Sequence, residues 1–199
     1  MPIKRLSAVL PAILLSLLLL GIAACVVRQS KDSNGDDQNV SIVTPAGTMH
    51  IGKDADVQDT GLPVYPGARS KPNSKDDDQN KANVNISSSF FGLKVVAVEY
   101  LSDDPPAKVL DYYKTQLKRY GSVLECRSTK KVDKFNADID MKEDNQKGRA
   151  LKCEGDNTGN NIELKVGTTD NQHIVSIEPN GTGTDFGLVA VKVHGHDTI

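Results

Sequence analysis

Seven side chains in this sequence are cysteines or histidines, the types that ligate zinc: Cys25, Cys126, Cys153, His50, His173, His194 and His196. A zinc site needs closely spaced thiolates and imidazoles, and the two later cysteines stand far apart. His194-Gly195-His196 puts two imidazoles on the same face of an extended segment. No third ligand lies near them in sequence, so the pair reads as a surface pair and no metal site is expected. "DSNGDDQN" and "DNTGNNIE" alternate oxygen-bearing side chains as calcium loops do. A hand-type loop wants Gly at its sixth position and Glu at its twelfth. Counted from Asp32 these fall on Asp37 and Val43, and counted from Asp156 on Asn161 and Gly167. In "GTGTDFG" the last glycine comes one place too late for a dinucleotide-binding turn, and a strand pattern follows instead of a helix, so it reads as a hairpin connection. No G-x-S-x-G elbow occurs. No catalytic residue and no cofactor are assigned. An acid–base pair assembled by folding stays open, because carboxylates are plentiful.

The first cysteine has a distinctive setting. Lys4 and Arg5 precede an uncharged stretch running from Leu6 to Val27, which ends in the small residues Gly21, Ala23 and Ala24 just before Cys25. Length alone would satisfy a membrane span. The basic start, apolar middle and small residues before a cut fit a secretory signal, and Pro11 and Ser16 interrupt the run. "IAAC" resembles the bacterial lipobox, in which the cysteine is acylated and becomes the first residue of the mature chain. Ile22 stands where the pattern usually has Leu. The resemblance implies a signal peptide over residues 1–24, a lipid-anchored Cys25, and, since Val26 is not Asp, an outer-membrane address over an inner one. An uncleaved anchor is the alternative, and both place the rest of the chain across the membrane.

With Cys25 so used, Cys126 and Cys153 are an even pair facing an oxidising compartment and are expected to bond to each other. A redox-active pair is the alternative, though such pairs usually stand as C-x-x-C. The formal charge is −2, and the signal's loss removes two cations. No concentrated basic face is evident, so nucleic acid is not an expected partner. The membrane through Cys25 is, together with an envelope protein or a small ligand.

These residues must be held by something. Residues 25–39 are polar and acidic with no apolar face to bury, and read as a flexible tether. Residues 40–199 suit a single domain. Within it "VSIVT" and "TMHI" flank Pro45-Ala46-Gly47 as a first hairpin, and "NVNISSSF" and "LKVVAVEYL" meet near Phe91-Gly92 as a second. "SVLECRS", "RALKCEG", "NIELKVG", "HIVSIEP" and "LVAVKVHG" complete a mostly antiparallel set. One helix is expected over residues 102–121. Asp103 or Asp104 would cap it, Pro105 suits the first turn and Gly121 ends it. Val109, Tyr113, Leu117 and Tyr120 share one face, as core or, alternatively, as a pocket lining. Residues 69–83 and 130–148 read as exposed loops. The fold class is therefore α+β, an antiparallel sheet packed against one principal helix.

"GLPVYPGA", followed by a strand and "SDDPPAKVLDYYKTQLKRYG", resembles a group of uncharacterised bacterial secreted proteins and lipoproteins, acidobacterial ones among them. The likeness runs over residues 57–124 and brings no activity with it. Tyr65-Pro66-Gly67 is a tight turn in which Tyr65 pins the chain to the core, or else a recognition surface. Two functions are in view: a non-catalytic binding or interaction module anchored to a membrane, and a periplasmic hydrolase whose site forms only in the fold. A Ser and His within hydrogen-bond reach would favour the second.

Overall fold

The structure, a computed structural model, describes residues 25–31, 37–72, 80–130, 150–153 and 157–195. Among the described residues, alternating apolar residues and β-branched runs give ten strands: β1 (Val26–Lys31), β2 (Asp37–Thr44), β3 (Gly47–Gly52), β4 (Arg69–Ser70), β5 (Lys81–Ser88), β6 (Phe91–Ser102), β7 (Leu124–Ser128), β8 (Asn161–Thr168), β9 (Asn171–Asn180) and β10 (Gly183–Gly195). All pair antiparallel in one sheet of order β1-β2-β3-β5-β6-β10-β9-β8-β7, with β4 also on β6. Among the described residues there is one α-helix, α1 (Pro106–Leu117). It is the connection from β6, in the middle of the sheet, to β7 at its edge; β8, β9 and β10 then return strand by strand to pair with β6. The class is α+β.

β6 and β10 form the spine, in register from Phe91 opposite Gly195 to Ser102 opposite Thr184. Both faces of the spine are buried, which is why "VVAVEY" reads as a continuous run instead of an alternating one. On one face Val96, Val98 and Tyr100 join Leu164, Ile177, Phe186 and Leu188 in a buried cluster that also contains Val109, Leu110, Tyr113 and Leu117 of α1. On the other, Leu93, Val95 and Ala97 meet Ile174, Val189 and Val191. Val84 and Ile86 sit opposite Val95 and Leu93 and so share that second face. Further along it the surface turns polar, and each of two buried charges has a half-buried partner: Glu99 Oε2 lies 3.0 Å from Lys71 Nζ, and Lys165 Nζ 3.0 Å from Glu163 Oε2.

The helix differs from expectation at its start. Pro105 is the N-cap and makes no side-chain cap. The prolines at 105 and 106 remove two amide donors that a cap would otherwise satisfy. Asp104 is committed elsewhere: its carboxylate accepts from Tyr65 Oη at 2.9 Å and from Lys108 Nζ at 2.8 Å. At the far end the α-helix stops at Leu117, short of the expected Gly121; a 3-10 turn over Lys118–Tyr120 follows, and Gly121, at φ +135°, closes that turn by donating to Lys118 O at 3.3 Å.

The tether expected over residues 25–39 is corrected. Val26–Lys31 is β1, paired with β2 from Val26 opposite Val43 onward. Residues 26–30 of it are exposed, as the composition implied. Backbone pairing, which side-chain polarity does not report, joins the strand to the sheet. The expected loop over 69–83 likewise gives its two ends to β4 and β5. Around Cys153 the expected strand is, among the described residues, a single bridge between Ala150 and Thr168.

Candidate functional site

Cys25 is exposed and free, immediately ahead of β1 at one edge of the sheet. Residues 1–24, where the signal peptide is expected, lie outside the described residues. Cys126 and Cys153 are bonded, with Cα atoms 5.3 Å apart. Cys126 belongs to β7, the opposite edge, so the disulfide ties down the last strand of the sheet.

The turn at 65–68 is built as the sequence implies. Ala68 N donates to Tyr65 O at 3.0 Å, and Gly67 takes φ +78°, a conformation that suits glycine. Tyr65 is only 8% exposed, with its hydroxyl on Asp104, so Pro66 and Gly67 are the exposed part. Lys108 first, then the Tyr65 hydroxyl, holds the Asp104 carboxyl below the ordinary aspartate range. Beside it Arg69 forms a two-pronged pair with Asp103, at 2.8 and 3.3 Å. These two residues, with Asn180, Thr184 and Asp185, line a polar cleft of ≈ 180 Å³.

The 61–64 segment is fastened by three tyrosines. Tyr113 Oη donates to Pro63 O at 3.1 Å, Tyr112 Oη to Val64 O at 3.4 Å, and Tyr120 Oη to Gly61 O. Burial pushes the Tyr113 hydroxyl's pKa well above its ordinary value. Tyr120 also lies over His173, ring centroids 3.9 Å apart. Nδ1 of His173 donates to Thr60 O at 2.9 Å, which fixes the tautomer of a neutral imidazole. Burial lowers its pKa below the usual histidine value, against the Thr60 bond, which raises it.

That shift has a consequence for stability. At neutral pH His173 is neutral both folded and unfolded. Below about pH 6.5 the unfolded chain takes the proton first, so stability falls with acidification until the folded imidazole also titrates. His173→Gln is expected to flatten the pH dependence of the unfolding midpoint in that window. Chemical denaturation at a series of pH values checks this, and equal slopes in both proteins would refute it.

The most enzyme-like arrangement was not singled out by the sequence. Ser41 on β2 lies directly opposite His50 on β3, and Ser41 Oγ is 2.9 Å from His50 Nδ1. His50 Nε2 is 3.0 Å from Asp54 Oδ1. A carboxylate holding Nε2–H leaves Nδ1 free to accept the serine proton, which is general-base chemistry on a hydroxyl nucleophile. The setting is less complete. Ser41 stands in a middle strand, opposite Arg28 on one side and His50 on the other, so neighbouring amides serve the ladder instead of facing a reacting oxygen. The Asp54 side chain is 47% exposed, and neither the polar cleft nor the depression described next includes Ser41 or His50.

An open depression of ≈ 690 Å³ lies between the β5–β6 hairpin and the end of β10, lined in part by Ile86, Phe91, Leu93 and His194. His194 is exposed there, and its expected companion His196 lies outside the described residues. No group of three His, Cys, Asp or Glu able to hold a metal occurs among the described residues, and no described helix is long and apolar enough to cross a membrane. No family model, no curated protein and no solved structure matches this chain.

Proposed function

We propose that this chain is a bacterial envelope lipoprotein, acylated on Cys25, facing the periplasm from the outer membrane, and serving as a non-catalytic binding or interaction module. The observation that carries the reading is Cys25 itself. It is the cysteine that ends "IAAC", it is exposed, and it takes no part in the disulfide. Several acyl chains on one cysteine, each methylene worth about 0.8 kcal/mol when buried, hold a protein to a bilayer without a spanning helix. In this reading α1 braces one face of the sheet, and the ends and edges of the sheet are left to meet partners. Cys25→Ser is expected to lose metabolic fatty-acid label and to move from the membrane to the soluble periplasmic fraction. Label at wild-type intensity on the variant would sink the proposal.

The Ser41–His50–Asp54 chain of hydrogen bonds favours a second reading, a periplasmic hydrolase with Ser41 as nucleophile. The binding reading expects any turnover of activated esters by the purified protein to be the same in Ser41→Ala. A loss on the order of a thousandfold in that variant, with the fold intact, would establish the hydrolase instead.

A further inference from the structure

Exposed apolar side chains are not scattered over this sheet. Among the described residues the large ones are Val26, Val27, Val43, Ile51 and Phe90. All but Ile51 lie within two residues of one end of the strands. The registers show it: Val26 is opposite Val43, Gly47 is opposite Ser88, and Phe90 occupies the turn just past Ser88. Cys25, one residue before Val26, stands at the same end.

Phe90 is the most exposed of them, at 79%, and it is held rather than loose. Ser88 Oγ accepts from Phe90 N at 3.3 Å and Phe91 N at 3.0 Å, and donates to Phe91 O at 3.0 Å. One side chain thus satisfies the amides of the turn and fixes the backbone that carries the exposed ring. An apolar ring fixed in water at a hairpin tip is the geometry of an interfacial anchor.

Charge runs the same way. Two residues inward, the cross-strand row reads Arg28, Ser41, His50, Asn85, Lys94 and Lys192. It carries three cations; Lys94 is paired with Asp59, and His50 with Asp54. Of the turns at this end, 45–46 and 89–90 carry no charge. Turn 169–170 has Asp170, between the strands six and seven places along the sheet from β1 and Cys25. Asp103, Asp104 and Asp185 gather at the opposite end, around the polar cleft.

We propose that the sheet seats end-on against the lipid bilayer, with Phe90 inserted at headgroup depth as a second contact beside the acylated Cys25. This rests on the acylation proposed above. The hairpin tip is between three and four strand spacings from β1, roughly 17 Å along the sheet. Two contacts that far apart fix the sheet's tilt, which one anchor leaves free, and the cation row then faces anionic headgroups.

The chain contains no tryptophan, so each introduced one is a single reporter. Phe90→Trp, Val43→Trp and Thr182→Trp are to be made in the full acylated chain and reconstituted in phosphatidylethanolamine and phosphatidylglycerol vesicles, with and without bromine on the acyl chains. Thr182 is in the exposed β9–β10 turn at the far end. Bromine is expected to quench Phe90→Trp about twofold or more and to leave Thr182→Trp unchanged. Val43→Trp, read beside an intact Phe90, should follow Phe90→Trp, which excludes tryptophan's own taste for interfaces as the cause. An acylated, vesicle-bound chain whose Phe90→Trp is as bright as Thr182→Trp overturns the seating and leaves the anchor standing. A blue-shifted Phe90→Trp that lipid bromine does not quench means a second copy covers the tip, which also overturns it. A chain with no acyl mass that fails to float with vesicles overturns both proposals.

Discussion

Phe186→Ala is expected to destabilise the fold by about 3–5 kcal/mol, the usual cost of deleting a fully buried aromatic side chain. Phe186 has no exposed surface. Its ring stacks on Tyr100 at 5.6 Å and meets the edges and faces of Tyr113 at 5.6 Å and Tyr65 at 6.3 Å. Three elements converge there: the spine strand β6, helix α1 and the 65–68 turn. Alanine would remove the ring against which all three pack, and tyrosine hydroxyls fixed to the 61–64 backbone and Asp104 restrict how far the cluster can collapse into the space. Urea unfolding, followed by far-ultraviolet circular dichroism, reads the change as a lower midpoint at similar slope. A loss under about 1 kcal/mol would show that the aromatic cluster is not what holds α1 and the turn to the sheet.

The second large effect is expected from the disulfide. Cys126 and Cys153 close a loop with a sequence separation of 27. In the chain-entropy account that closure contributes roughly 3.5 kcal/mol by restricting the unfolded chain. β7 is an edge strand, paired on one side only, with β8. Cys126→Ala with Cys153→Ala should therefore lower the urea midpoint by a corresponding amount, and reduction of the wild type should reproduce the shift. The bond and Phe186 share no partner, so the two losses should add. Equal midpoints for the oxidised wild type and the double variant would show that the bond constrains nothing that matters to folding.

Much of this architecture is readable from residue order, and the parts that are not share a cause. A helix within 102–121 and the hairpin around Pro45-Ala46 follow from period and punctuation; the second hairpin follows too, though it turns at Ser89-Phe90, two residues before the expected Phe91-Gly92. The disulfide follows from an even cysteine pair. The N-cap was misread because a carboxylate's preferred partner depends on what folding brings near: Lys108 one turn on, and Tyr65 from 39 residues earlier. The strand at 26–31 was missed because polarity reports burial, whereas an edge strand joins through its backbone. Ser41 facing His50 was within reach, since the two are equidistant from the centre of the Pro45-Ala46 turn and a tight hairpin must pair them. The Thr60–His173 contact was not, because it joins residues 113 apart through the sheet's global order.

The start of β1 directly after Cys25 sets a height. Were 25–39 a leash, the polar cleft would sweep a volume above the membrane. With an acyl anchor, no slack and the end-on seating proposed above, the cleft would stand off by about the length of the spine strand: the 13 residues of β10 rise roughly 40 Å at 3.3 Å each. The Asn180 and Asp185 end would then be presented at one altitude above the bilayer, and whatever meets it would itself have to reach that level.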